Sequence, residues 1–225
     1  MKKLFICLAA VIAAASCWAQ KMSVLGDSYS TFGGEVTPAT NLCWYNGTDG
    51  AYAADTIDVK SADQTWWRIL ASETGMRVDT NNSYSGSTIC LTGYNGADFS
   101  DRAFITRIHN LGDPDVIYVF GGTNDSWAGA PIGEFKYKGW TEKDLYSFRP
   151  AFAYLLDQLK HLYPHARVVN ITNCELSDDV TGSMDKICRH YGVKNVRLRS
   201  INKIYGHPSA AGMRSIAAQI LQADK

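Results

Sequence analysis

The sequence predicts an α/β fold of three layers, α/β/α, in which helices cover both faces of a five-stranded parallel sheet. Three observations carry this reading. Strand-like and helix-like segments alternate along the chain. The run Val116-Ile117-Tyr118-Val119-Phe120 is apolar at every position, as in a central strand buried on both faces. The 225 residues, 46% of them apolar, suit one domain with a sizeable core and show neither internal repeats nor a low-complexity linker.

In order, the strands fall at residues 22–25, 76–79, 116–120, 167–171 and 193–198, and the helices at 64–73, 101–111, 142–162, 179–191 and 210–223. The first helix carries Trp66 beside Trp67, and adjacent helical positions diverge too far for both to face the core squarely. Thr141, with Asp144 three residues on, reads as the cap of the long third helix. Pro150 lacks an N–H and predicts a kink or restart near residues 148–149. Residues 29–63 and 125–139 are long polar loops, uncommon in a compact domain unless they carry function. Both leave the sheet at the carboxyl ends of strands, the rim where ligands bind in open α/β sheets.

Residues 1–19 read as an export signal. Lys2-Lys3 form a positive end, residues 4–15 an apolar stretch, and Ser16-Cys17-Trp18-Ala19 a cleavage region ending in a small residue. The apolar stretch is too short for a comfortable membrane span. The expected product is a domain over residues 20–225, exported to the periplasm or secreted. Lipidation at Cys17 is the alternative, but it would leave almost no tether before the first strand. Cys43, Cys90, Cys174 and Cys188 remain, and either disulfides or buried thiols fit an exported chain of this size. Lys and Arg balance Asp and Glu at 22 each, which argues against nucleic acid or an anionic membrane surface as a partner. Oligomeric state is not legible.

Chemistry concentrates in four short segments. Gly26-Asp27-Ser28-Tyr29-Ser30 follows the first strand, and a serine on a tight turn at a sheet rim is exposed for nucleophilic attack. Alone, the tripeptide is also an ordinary turn. It departs from the Gly-x-Ser-x-Gly elbow, having Ser30 where the second glycine belongs. Gly86 lies in the polar loop after the second strand, Asn124 in Gly121-Gly122-Thr123-Asn124-Asp125 after the third, and His207 before Pro208 after the last.

Ser28, Gly86, Asn124 and His207, in that order and each at a strand end, resemble the SGNH (GDSL-type) hydrolase family, whose fold is flavodoxin-like. The run from Gly206 to Met213 is similar to the family's last block, and the resemblance spans nearly the whole chain after the signal. It implies a serine esterase without a cofactor. Ser28 would be the nucleophile and His207 its base, with the backbone N–H groups of Ser28 and Gly86 and the Asn124 amide forming the oxyanion hole.

The pattern breaks at one position. The family usually carries an aspartate three residues before this histidine, and this chain has Ile204. The expectation is a Ser28–His207 dyad oriented by a backbone carbonyl or Asn202. An acid from elsewhere in the fold and a weakened enzyme are the other outcomes. Asp27 reads as bracing its turn. Trp44, Tyr45, Tyr52, Tyr94 and Trp127 fall in the rim loops, and aromatic faces in a wet cleft suit sugar rings. Trp44, Tyr94 and Trp127 are the substrate-binding candidates. The resemblance implies a small-molecule or glycan ester as substrate. The rival from another class is a non-catalytic or weakened glycan-binding protein that keeps the fold. Strand–helix alternation also permits a nucleotide or flavin binder, although neither Gly-x-Gly-x-x-Gly nor a P-loop occurs. No metal site is expected, since Pro164 interrupts His161 and His165, and Cys188 with His190 has no second matching pair.

Overall fold

A computed structural model describes residues 19–46 and 56–224. The expected export signal, apart from Ala19, lies outside the described residues, as does Tyr52. Five strands form one parallel sheet: β1 (Lys21–Gly26), β2 (Arg77–Ser83), β3 (Val116–Gly121), β4 (Arg167–Thr172) and β5 (Lys194–Arg197). Their spatial order is β2-β1-β3-β4-β5, every pair parallel. Strand order reverses between β1 and β3, so their carboxyl ends flank the switch-point crevice where such sheets bind ligands.

Helices α1 (Trp66–Thr74), α2 (Phe104–Arg107), α3 (Thr123–Trp127), α4 (Phe148–Leu162), α5 (Asp178–Tyr191) and α6 (Ala210–Ala223) complete the three layers. Alternation along β3 divides the core. Ile117 and Val119 pack with α2, α4 and α5, while Val116, Tyr118 and Phe120 pack with α1 and α6. Each large apolar side chain buried this way stabilises the fold by about 1.5–3 kcal/mol.

The elements differ from the sequence reading in five places. Strand β2 runs on to Ser83, because Asn81, Asn82 and the Ser83 carbonyl are buried with tertiary hydrogen bonds that hydropathy cannot register. The helix expected at 101–111 contracts to Phe104–Arg107, where the Arg107 guanidinium turns inward to bind carbonyls. The expected loop at 125–139 opens on the short helix α3. Thr141 and Asp144 do bond, but they close a separate 3-10 turn, Glu142–Tyr146. The chain then extends at Ser147 and α4 starts afresh at Phe148, the restart that Pro150 predicted, which leaves Pro150 in a first turn that needs no N–H from it. Trp66 and Trp67 are both fully buried: both indole N–H groups donate to Ser30, and both rings lie in one cluster with Phe32, Tyr45 and Val59.

No disulfide joins Cys43, Cys90, Cys174 and Cys188. Burial raises the Cys90 and Cys188 thiols well above their ordinary values, which keeps them protonated and unreactive. No helix among the described residues is long and apolar enough to cross a membrane.

Candidate active site

The turn after β1 is shaped by contact. A Cβ on Gly26 would lie 2.6 Å from Ser30 Cβ and Ser83 Oγ, so only glycine fits. Residues Ser28–Ser30 then form one 3-10 turn. Asp27 caps it, its Oδ1 accepting from the Tyr29 N–H at 3.0 Å. The other carboxyl oxygen is buried without a hydrogen-bond partner among the described residues. Burial pushes this carboxyl up to about 7, against the opposing pull of the Tyr29 N–H. The turn is fixed from behind. Trp66 Nε1 donates to Ser30 Oγ at 3.1 Å, while Trp67 Nε1 and Asn81 Nδ2 donate to the Ser30 carbonyl at 3.0 and 2.9 Å.

His207 stands on a small hairpin of β6 (Lys203–Ile204) and β7 (His207–Pro208), in which Ile204 pairs with His207. The two connecting residues, Tyr205 and Gly206, both have positive φ, +51° and +76°, as a type I′ turn requires. Two phenols seat the hairpin on the rim: Tyr29 Oη donates to the Gly206 carbonyl at 2.6 Å, and Tyr45 Oη to the Pro208 carbonyl at 2.7 Å. The result brings His207 Nε2 within 2.9 Å of Ser28 Oγ, across 179 residues of sequence. His207 Nδ1 lies 3.1 Å from the Tyr205 carbonyl oxygen. Asn202 instead bonds to Ser209 through its side chain and carbonyl.

The loop after β2 is tied to both neighbours. Tyr84 N–H donates to the Gly26 carbonyl at 3.1 Å, and Ser87 N–H closes the turn onto Tyr84 at 3.2 Å. Gly86 sits inside that turn at φ +78°, with open space where a Cβ would stand, so backbone conformation rather than crowding selects glycine. Buried Arg107 joins this turn to β1, donating to Ser87 Oγ at 3.0 Å and the Gly26 carbonyl at 3.1 Å. Burial lowers its guanidinium to about 9 while Asp27 opposes the shift, so it stays charged at neutral pH. Asn124, on α3, donates through Nδ2 to the Ser87 carbonyl at 2.9 Å and accepts from Tyr94 Oη at 2.7 Å. These partners fix the amide's orientation and leave its second N–H hydrogen for another acceptor. Asp125 is fully buried and accepts the N–H groups of Ile89 and Cys90 at 2.8–3.1 Å. Its carboxyl, pushed up by burial to about 6, pins the segment that follows Gly86.

Ser28 and His207 therefore meet directly, Gly86 lies in a turn bonded to the Gly26 carbonyl, and Asn124 is bonded to that same turn through the Ser87 carbonyl. Of the rim aromatics, Trp44 stacks on the His207 ring with centroids 3.5 Å apart. Trp127 is 45% exposed with its ring 6.2 Å from that of His207, and Tyr94 holds Asn124. Tyr45 is a correction: it is fully buried in the core, so it offers no face to a ligand. Sequence reasoning gave no role to Tyr29 and Ser30, which adjoin Ser28, or to Arg107, which lies far along the chain from every candidate segment. Among the described residues no three His, Cys, Asp or Glu side chains converge. The arrangement is chemically that of a hydroxyl facing a base, with hydrogen-bond donors on adjoining segments.

The sequence matches the GDSL-like lipase/acylhydrolase family over residues 20–223. A structure named as a GDSL-like lipase from Bacteroides uniformis is 62% identical over 91% of this chain and 95% of that one, with a TM-score of 0.88. Another so named, from Bacteroides ovatus, is 47% identical over 91% and 97%, with a TM-score of 0.87. A family two carbohydrate esterase from Clostridium thermocellum, solved in complex with cellohexaose, shares the fold at 17% identity over 90% of this chain and 62% of that one, with a TM-score of 0.60. No curated protein matches.

Proposed function

The chain belongs to the GDSL-like lipase/acylhydrolase family, and on that premise we propose that it is an exported serine esterase, its catalytic domain spanning residues 20–225. The observation that carries this is the 2.9 Å contact between Ser28 Oγ and His207 Nε2. Ser28 Oγ gives its proton to His207 Nε2 as it bonds to the ester's acyl carbon. The carbonyl oxygen takes up negative charge and is met by the N–H groups of Ser28 and Gly86 and the second amide hydrogen of Asn124. His207 passes the proton to the alkoxide as the acyl–oxygen bond breaks, and the alcohol leaves. Water then gives a proton to His207, attacks the acyl-Ser28 ester and releases the acid, and the proton returns to Ser28.

The substrate class we propose is a small acyl ester carried on a glycan. Support comes from Trp127, a large exposed ring 6.2 Å from that of His207, which offers a sugar an apolar face. Export rests on the pattern of residues 1–19. The deciding experiment compares wild type with Ser28→Ala on aryl acetates and acetylated oligosaccharides. Turnover that disappears in the variant is expected. Equal rates in the two proteins, with glycan affinity retained, would select the non-catalytic binder instead.

A further inference from the structure

The indole of Trp44 lies flat on the imidazole of His207, with centroids 3.5 Å apart and planes within 8°. Its position is tied to the nucleophile's turn: the Trp44 N–H donates to Thr31 Oγ1 at 2.9 Å, and that hydroxyl donates to the Ser28 carbonyl at 3.0 Å. One residue thus couples the stack to the element that carries Ser28. We propose that Trp44 is a positioning residue that stabilises the protonated form of His207 through its π face. It would supply part of the charge stabilisation that an aspartate at position 204 gives elsewhere in the family.

The physical argument is differential. A neutral imidazole stacked on indole gains dispersion, whereas an imidazolium gains in addition from the negative face of the ring, and tryptophan has the strongest such face. Because His207 is only 8% exposed, water screens this attraction little. His207 carries its charge when Ser28 attacks, so the added interaction lowers the barrier rather than merely tightening the resting enzyme. The stack also fixes the plane of the ring, which keeps Nε2 on Ser28. One face of the indole is therefore covered by the imidazole, leaving less of Trp44 for a sugar than its place in the sequence suggests.

This inference rests on the esterase reading, and its test separates the two. Titratable groups on the described elements around His207 include Asp27 and Tyr29 beside Ser28, Tyr45 and Asp58, which bond to Pro208 and Ala210, and Lys203 and Tyr205 on the hairpin. Lys203 is ion-paired with Glu175, and Asp58 accepts from the Ala210 N–H. Substituting Trp44 alters none of these groups. The experiment records the pH profile of kcat/KM on an aryl acetate and the NMR titration of the His207 ring, for wild type, Trp44→Phe and Trp44→Leu. Trp44→Leu should lower plateau kcat/KM by about three- to thirtyfold and move both the acid limb and the NMR midpoint down by about half to one pH unit. Trp44→Phe should move both the same way by less, recovering most of the activity. An NMR midpoint unmoved in every variant that folds overturns the proposal, whatever happens to the rate. The NMR arm needs no turnover: a wild type inactive on every ester, with a His207 midpoint that still follows residue 44, refutes the esterase reading and supports the stack.

Discussion

The carbonyl oxygen of Tyr205 stands 3.1 Å from Nδ1 of His207, two residues along the same hairpin. Positive φ at Tyr205 and Gly206 turns the chain tightly enough to aim that carbonyl back at the ring. A carbonyl can only accept, so the hydrogen resides on Nδ1 and Nε2 is left as the acceptor facing Ser28. It orients the ring as a carboxylate would, but as a dipole it stabilises the imidazolium less.

Removing either end of the Ser28–His207 contact should abolish ester turnover without unfolding the protein. Ser28→Ala and His207→Gln are each expected to reduce kcat by about a thousandfold or more. Thermal melting checks that both variants remain folded.

Ile204→Asp should not improve the enzyme. Ile204 is half-buried and directly opposite His207 in the hairpin, but Nδ1 already has the Tyr205 carbonyl. The expected result is kcat/KM within about threefold of wild type and a stability loss of about 1–2 kcal/mol from partial burial of the carboxylate. A tenfold gain would show that the carbonyl yields its place to a carboxylate.

Asn124→Ala removes a donor aimed by two partners, and kcat should fall by about a hundred- to a thousandfold. Tyr94→Phe leaves the donor but loses the bond to Asn124 Oδ1, so a smaller loss of about three- to tenfold is expected. Equal effects from the two would mean that Tyr94 itself meets the substrate.

Asp27 predicts a stability trend with pH. Its carboxyl lies at about 7 when folded against 3.8 when exposed. Between these values the folded chain holds a proton that the unfolded chain has released, so this group makes stability fall as pH rises from about 4 to about 7. Asp27→Asn should remove that contribution. The difference in unfolding free energy between variant and wild type should then grow in the variant's favour by about 2–4 kcal/mol across the window. Urea unfolding at several pH values measures it, and a flat difference would contradict the assignment.

Local sequence is enough to specify the layered α/β architecture, because apolar runs and turn residues act locally: residues 116–120 need a buried strand wherever they are placed. It also determined the four segments at strand ends, since turn chemistry at Gly26, Gly86, Asn124 and His207 follows from nearby residues. Tertiary structure decided what those segments meet. The polar end of β2, the inward turn of Arg107 and the burial of both Trp66 and Trp67 depend on hydrogen bonds and cover from distant parts of the chain, which no local pattern encodes. The same holds at the site. Ser28 and His207 are 179 residues apart and meet on a hairpin that Tyr29 and Tyr45 seat on the sheet's rim, and Ile204, standing where the family usually has its aspartate, gave no sign that the Tyr205 carbonyl and the Trp44 ring would lie against His207.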